Sequence, residues 1–436
     1  MNTSDLLTGW SSLSLEEIEA RLKSGIDDES AEQLFGADEL AEMRALAEAP
    51  QTRALREAVV LLPGCMGSLL RSIRGVTTVL WINPALFLNG QCSYLELNQD
   101  GTGDARPYID AVPFSLEKLV YLKIGITLRR QTDLYQFPYD WRRPIEYNAD
   151  LLHQCIERWA EGDPDQQFSL VGHSMGGMVA RAYLARHTQV AEKRIKHLIM
   201  HGTPHFGVPG LVESIVMGDR LMAIAGKLNE KNVPRQVILS MLSLFQCLPA
   251  PPDLFLPSRP YPVNWDLYDV DAWRLEGIRQ HYLDAGRRFH ELLATADPQV
   301  EITEIAGCHV DTVVDVERSF GPDERPQYDL RREDEGPDSG DGTIPLWSAV
   351  LPGATVYYIQ QVHRSLPANK EVIGATLELI HGGTPDLPTD LPPSEKTRLL
   401  RRGALAPVDV EAERLRARLE SGTADGEDLS LLYFAW

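Results

Sequence analysis

The stretch Phe168-Ser-Leu-Val-Gly-His-Ser-Met-Gly-Gly-Met-Val-Ala-Arg181 decides the fold. Phe168 to Val171 is a short apolar run of strand-like composition, and Met178 to Ala185 reads as a helix. Between them Gly172-His-Ser-Met-Gly176 fits G-x-S-x-G, a motif in which a strand turns sharply into a helix with a serine at the apex. The turn strains the serine backbone, and side chains two residues to either side would collide with it, so glycines are needed there. The geometry exposes the hydroxyl and points a helix N-terminus at it, where backbone N–H groups can meet an oxyanion. An ordinary tight strand–helix turn would produce the same five residues by chance. The strand before and the helix after make the motif specific.

Working outward, apolar strand patterns and helical patterns alternate. Val59 to Leu62 is an apolar, β-rich run that ends in Pro63-Gly64. Asp133 to Arg142 reads as a strand running into a loop, Tyr147 to Trp159 as a helix, and Ile195 to Gly202 as a strand. This rhythm predicts an α/β fold with a mostly parallel central sheet and helices on both faces. Helical patterns are expected from about Ser30 to Ala49 and from Asp271 to Ala296. Strands are expected at Val300–Ile305 and at 354–359, a polar acidic loop at Arg331–Gly342, and a helix at Lys370–Ile380.

Three regions stand outside the rhythm. Residues 1–55 are polar and rich in Glu and Ala, and read as a helical N-terminal extension. Residues 208–265 interrupt the alternation with an apolar insertion, either a cap that holds greasy substrate or plain helical core. Residues 382–436 begin Pro-rich, as a linker or surface wrap, then carry a charged helix and an apolar end that needs cover. The expected main domain is therefore 56–381.

A serine hydroxyl needs a base within hydrogen-bond reach, and the base needs an orienting carboxylate. Of the eleven histidines, His363 has the right placement, late in the chain, after a strand and ahead of a helix. His173, His201, His205 and His309 read as structural or pocket-lining. Asp341, flanked by glycines in Ser339-Gly-Asp-Gly-Thr343, is the favoured acid, with Asp338 and Asp311 behind it. Oxyanion donors are expected from the residue after the serine, Met175, and from the loop after the Val59–Leu62 strand, at Cys65. The Asp140/Arg142 pair reads as a structural ion pair. Substrate contacts are expected at Met66, at Trp81 (core, or a flap over the site), and at Leu221, Met222 and Leu244 in the insertion.

Composition narrows the partners. The net charge is −21, and no basic cluster breaks it, so nucleic-acid binding and electrostatic attraction to anionic membranes are not expected. Contact with a membrane or micelle surface would be transient and hydrophobic. No run is long enough to span a bilayer and no signal segment is seen, so a cytoplasmic location is expected. The five cysteines are scattered without CxxC spacing, which predicts no disulfide frame and no zinc. Neither a metal nor a cofactor is expected.

Six segments, in order, resemble the lecithin:cholesterol acyltransferase family of α/β-hydrolases, which includes lysosomal phospholipase A and phospholipid:diacylglycerol acyltransferase. They are Leu62-Pro-Gly-Cys-Met-Gly-Ser68, Leu80-Trp-Ile-Asn-Pro84, Phe137-Pro-Tyr-Asp-Trp-Arg142, Gly172-His-Ser-Met-Gly-Gly177, Gly202-Thr-Pro-His-Phe-Gly207 and Ser339-Gly-Asp-Gly-Thr-Ile-Pro345. His363 ahead of a helix is a seventh match. The resemblance covers roughly 57–381 and implies an α/β-hydrolase fold with Ser174 as nucleophile, Asp341 as acid and His363 as base. It also implies an oxyanion hole at the amides of Cys65 and Met175, and a cap segment at Leu239–Pro249. Secreted relatives have a signal peptide and a disulfide-closed lid, whereas here only Cys92 lies near Trp81, so a bacterial-type cytosolic member is expected. The implied activity is hydrolysis of a lipid acyl ester through an acyl-enzyme. The alternatives are transfer of the acyl group to an alcohol, esterase action on a non-lipid substrate, or a non-catalytic scaffold on the same fold.

Overall fold

The computed structural model describes residues 9–50, 57–75, 77–218, 220–394 and 407–432. Expectations for 1–8, 51–56, 395–406 and the apolar end at 433–436 lie outside the described residues. The frame is a six-stranded sheet of β1 (Ala58–Leu62), β5 (Asp133–Gln136), β6 (Phe168–His173), β7 (Ile195–His201), β8 (Glu301–Gly307) and β11 (Thr355–Ile359). Its order is β11-β8-β7-β6-β1-β5, and every pairing in it is parallel. The register sets Val60 beside Leu170 and Leu62 beside Gly172.

Both faces of the sheet are covered, which is why β1 and β6 are buried along their whole length. Side chains alternate across a strand, and the core divides accordingly. Val59, Leu61, Val171, Ile199 and Ile305 pack with the helices Lys118–Gln131 and Lys370–Ile380. Val60, Leu62, Leu170, Leu198 and Met200 face the helices Ile145–Trp159, Met175–Arg186 and Gln280–Thr295. A smaller antiparallel sheet, β3-β2-β4 (Val79–Trp81, Ser68–Ser72, Ala111–Leu116), follows directly on the loop after β1. The six-strand frame meets the expectation of an α/β fold with a parallel sheet.

Three expectations change. The pattern read as one helix from Ser30 to Ala49 is two, Asp28–Phe35 and Ala37–Glu48, broken at Gly36 with φ 81°. The pattern from Asp271 to Ala296 is likewise split. Val270–Trp273 ends at Arg274 in the left-handed region, and the long helix is Gln280–Thr295. The segment read as an acidic loop holds the end of a strand. β9 (Thr312–Phe320) and β10 (Pro326–Glu333) form an antiparallel hairpin.

The insertion after β7 carries four short helices, Pro209–Met217, Arg220–Leu228, Pro234–Leu239 and Leu242–Phe245. The N-terminal helices pack on the Lys118–Gln131 helix. Glu16 and Glu19 pair with Arg129, Glu19 also pairs with Arg130, and Glu39 and Glu42 pair with Lys123. The Pro-rich stretch wraps the sheet edge, with Tyr358 N–H donating to the Pro388 carbonyl at 2.9 Å. No helix among the described residues is long and apolar enough to cross a membrane.

Candidate active site

β6 delivers Ser174 at its end with φ 54° and ψ −124°. That backbone is strained for a residue with a Cβ, and it is held on both sides. Ser174 N–H donates to the His201 carbonyl at 2.9 Å, and its own carbonyl accepts from Gly177 at 3.0 Å. A Cβ on Gly176 would stand 2.5 Å from the Pro63 carbonyl oxygen and 2.6 Å from that of Leu62. The second motif glycine therefore lets the elbow helix approach the end of β1, which brings the Pro63–Gly67 loop next to the serine.

Asp341 and His363 come from two loops that are clamped together. His363 Nδ1 donates to Asp341 Oδ2 at 2.7 Å, and His363 N–H donates to the Asp341 carbonyl at 2.8 Å. Asp341 Oδ1 accepts from the amides of Thr343 (3.0 Å) and Ile344 (2.7 Å). The carboxylate is thus fully engaged and 1% exposed. With Nδ1 committed, the histidine keeps Nε2 as an acceptor, the tautomer a general base needs.

Ser174 and His363 line one pocket of about 80 Å³, with Gly64, Cys65, Met66, Gly67, Glu117, Val120, Tyr121, His173, Thr343 and Arg364. Among the described residues, the amides of Cys65 and Met175 donate to no acceptor of the fold. Amides left unused at the elbow and at the facing loop are what an oxyanion hole requires.

His173, read from sequence as structural or pocket-lining, has a positioning part. Gly64 N–H donates to Tyr121 Oη at 2.7 Å, and Tyr121 Oη lies 2.8 Å from His173 Nδ1. The hydroxyl therefore donates to Nδ1, and His173 Nε2–H donates to the His363 carbonyl at 3.1 Å. Burial pushes the His173 imidazole well below its usual range, with His363 adding to the effect. It is a neutral link between the Pro63–Gly67 loop and His363. Tyr121 was not found in the sequence because it sits in a plain apolar helical pattern and meets these partners only through the fold. Arg364 could have been found by adjacency to His363.

The expected substrate contacts divide. Met66 lines the pocket with φ 60°. Trp81, left open as core or flap, is core: it is 1% exposed, donates to the Met66 carbonyl at 2.9 Å, and packs edge-on against Trp141 and Phe87. Leu221 and Leu244 are buried, and Met222 borders a separate surface groove. No residue of 208–265 lines the pocket at Ser174. The insertion's apolar side chains are consumed in packing on neighbouring elements, so the structure does not bring these three to the serine. Asp338 pairs with Arg259 at 3.0 Å, and Asp311 lies 3.5 Å from Arg332, away from His363. The Asp140–Arg142 ion pair forms at 2.7 Å, with Asp104 as a second partner at 2.9 Å. All five cysteines are unpaired thiols.

Comparison with known proteins follows the same lines. Residues 115–245 match the family model described as lecithin:cholesterol acyltransferase. The chain is similar to "Lecithin-cholesterol acyltransferase-like 4" of Arabidopsis thaliana, 22% identical over 165 residues, which are 37% of this chain and 29% of that protein. It is also similar to "Phospholipase A(1) LCAT3" of the same plant, 22% identical over 108 residues, 24% of each chain. The matched part is thus under a third of either relative's length. Among solved structures, a chain in the crystal structure of the Tle4–Tli4 complex shares its fold, with a TM-score of 0.52 at 14% identity over 75% of this chain and 98% of that one.

Proposed function

We propose, for a chain that belongs to the lecithin:cholesterol acyltransferase family of α/β-hydrolases, that it hydrolyses lipid acyl esters through an acyl-enzyme on Ser174. The observation that carries this reading is the 2.7 Å contact of His363 Nδ1 with Asp341 Oδ2 in a pocket shared with Ser174. In the reaction Ser174 Oγ attacks the ester carbonyl as His363 Nε2 takes its proton. The tetrahedral oxyanion accepts from the amides of Cys65 and Met175. Collapse of the intermediate passes the proton to the leaving alcohol, and water then repeats the sequence to release the acid. Asp341 holds the imidazolium by its ionic hydrogen bond.

Transfer to an alcohol in place of water is the second reading, favoured by the description of the matching family. It uses the same acyl-enzyme, and the two differ in how well water is excluded and an acceptor bound. The test is hydrolysis of a short p-nitrophenyl ester. Ser174→Ala is expected to lower kcat by about 10³-fold or more, since triad members act as a unit. Near-full activity in that variant would overturn the proposal. Adding an alcohol and analysing products separates hydrolysis from transfer.

A further inference from the structure

A second cavity, of about 570 Å³, takes Arg181 and Leu184 of the elbow helix into its wall and shares no lining residue with the serine pocket. It is bordered by the beginnings of β8 and β11, at Glu301, Ile302, Ala354 and Thr355, while Ser174 stands at the end of β6. Its volume falls in the range of small-molecule sites, roughly 300–1,000 Å³.

Its walls mix polar groups with apolar side chains, Leu184, Phe206, Leu254, Leu293, Leu351 and Pro352 among the latter. One cation borders it, Arg181 of the elbow helix. Arg181 Nη1 lies 3.2 Å from His205 Nδ1. His205 Nε2 lies 3.2 Å from Glu304 Oε2, and Glu304 Oε1 accepts from Thr203 N–H at 3.2 Å. The guanidinium can only donate, so His205 is neutral, accepting at Nδ1 and donating from Nε2 to Glu304. Burial drives the His205 imidazole well below its usual range and the Glu304 carboxyl well above. Among the described residues no carboxylate oxygen lies within 4 Å of Arg181, and His205 is its one recorded hydrogen-bond partner. Asp297 and Glu301 also border the cavity, but at its exposed rim, where water and salt screen them.

Arg181 is half-buried and opens onto the cavity, and a carboxylate is the ligand its fork of donors suits. One positive charge beside a row of leucines matches a monoanion with a hydrocarbon body. We infer that this cavity is a binding site for a monocarboxylate amphiphile of the fatty-acid class, its carboxylate on Arg181 and its chain along the leucines. The site stands whether or not Ser174 is a nucleophile.

The test is equilibrium dialysis of labelled decanoate, below its micelle concentration, against the full chain carrying Ser174→Ala. Arms with 1-decanol and with inorganic phosphate separate the charge from the chain. Decanoate is expected to bind, and Arg181→Met to weaken it about tenfold or more, the loss of a charged hydrogen-bonding partner. Arg181→Lys should retain part of the affinity. Ala294→Trp, at an exposed position on the cavity wall, should also weaken binding while leaving Arg181 in place, and it serves if Arg181→Met does not fold. Decanol should bind more weakly than decanoate. Equal decanoate affinity in the parent, Arg181→Met and Ala294→Trp proteins, or no binding at all, overturns the inference. Phosphate binding that depends on Arg181, without decanoate binding, also overturns it in favour of a free inorganic anion.

Discussion

Gly177, the residue just past the elbow motif, is tied to a single neighbour. A Cβ there would fall 2.0 Å from Thr203 Oγ1 and 2.8 Å from its Cγ2. That hydroxyl is buried with no hydrogen-bond partner, so the crowding is purely steric. Gly177→Ala is expected to destabilise the fold by about 1–3 kcal/mol, the usual range for overpacking. Thr203→Ala in the same chain should restore part of it, because the two closest atoms are then gone while the Cβ at 2.9 Å remains. Thermal melts of the two single variants and the double variant form the cycle, and strictly additive effects would refute the contact. The sequence shows this region unevenly. Ser174, Asp341 and His363 could be proposed together because each lies in a short local pattern, and the fold brings Asp341 to His363 and His363 to the pocket of Ser174. Tyr121 and His173 could not be assigned their link, because their contact spans 52 residues and leaves no periodic or compositional trace.

The end of β7 and the middle of the Gln280–Thr295 helix each bury an imidazole. Burial pulls His201 and His290 down to about 4 from an ordinary value of 6.5. His173 and His205 are depressed in the same direction. A depressed folded pKa means the unfolded chain takes up the proton first. The stability these groups contribute is complete above about pH 6.5 and is lost as pH falls toward 4, by about 1.4 kcal/mol per pH unit for each histidine. Glu304 works in the opposite sense, since its raised folded pKa favours the fold as pH falls, and it offsets one of the four. The melting temperature is therefore expected to drop between pH 7 and pH 5. His201→Gln, which keeps a polar group toward Thr376 Oγ1 (2.9 Å from His201 Nε2), should flatten that drop by one histidine's share. An unchanged slope would exclude His201. At this scale the fully buried strands were legible because both faces of the sheet are covered and their sequences are continuously apolar. The β9–β10 hairpin was not, because β10 is exposed or half-buried throughout and β9 is buried only in its first half. Charged side chains such as Arg331 and Glu333 suit solvent-facing strand positions, yet they read as a loop.

Across the whole molecule, each terminal extension grips an element of the main domain. The helix Val408–Ser421 holds the Arg220–Leu228 helix of the insertion. Arg220 Nε donates to Glu411 at 2.7 Å, Lys227 pairs with Asp409 at 2.7 Å, and Arg416 donates to the Leu228 carbonyl at 2.6 Å. The exposed Lys227–Asp409 pair is worth about 0–1 kcal/mol, and the Arg220–Glu411 pair is largely buried. Asp409→Ala with Glu411→Ala should thus speed amide hydrogen exchange in Arg220–Leu228 by about fivefold, and unchanged exchange would exclude the grip. Because the insertion does not line the serine pocket, that variant should leave turnover of a short ester unaltered. The N-terminal helices bear on the site itself. Their carboxylates hold Lys123, Arg129 and Arg130 of the Lys118–Gln131 helix, whose first turn carries Val120 and Tyr121 into the pocket wall. At about 80 Å³ the pocket is far below the roughly 300 Å³ of a small drug-sized site and opens to solvent, so it holds a short acyl group and leaves most of a long one in water unless a wall moves. The protein is therefore expected to hydrolyse p-nitrophenyl butyrate much faster than the palmitate ester. Lys123→Ala with Arg129→Ala, which removes four carboxylate contacts to the wall helix, should narrow the butyrate-to-palmitate ratio of kcat/KM by about threefold or more, as a restraint of roughly 1 kcal/mol is released. The ratio is the informative quantity, since partial unfolding lowers both rates together. A ratio that does not move would mean the wall opens without the N-terminal helices.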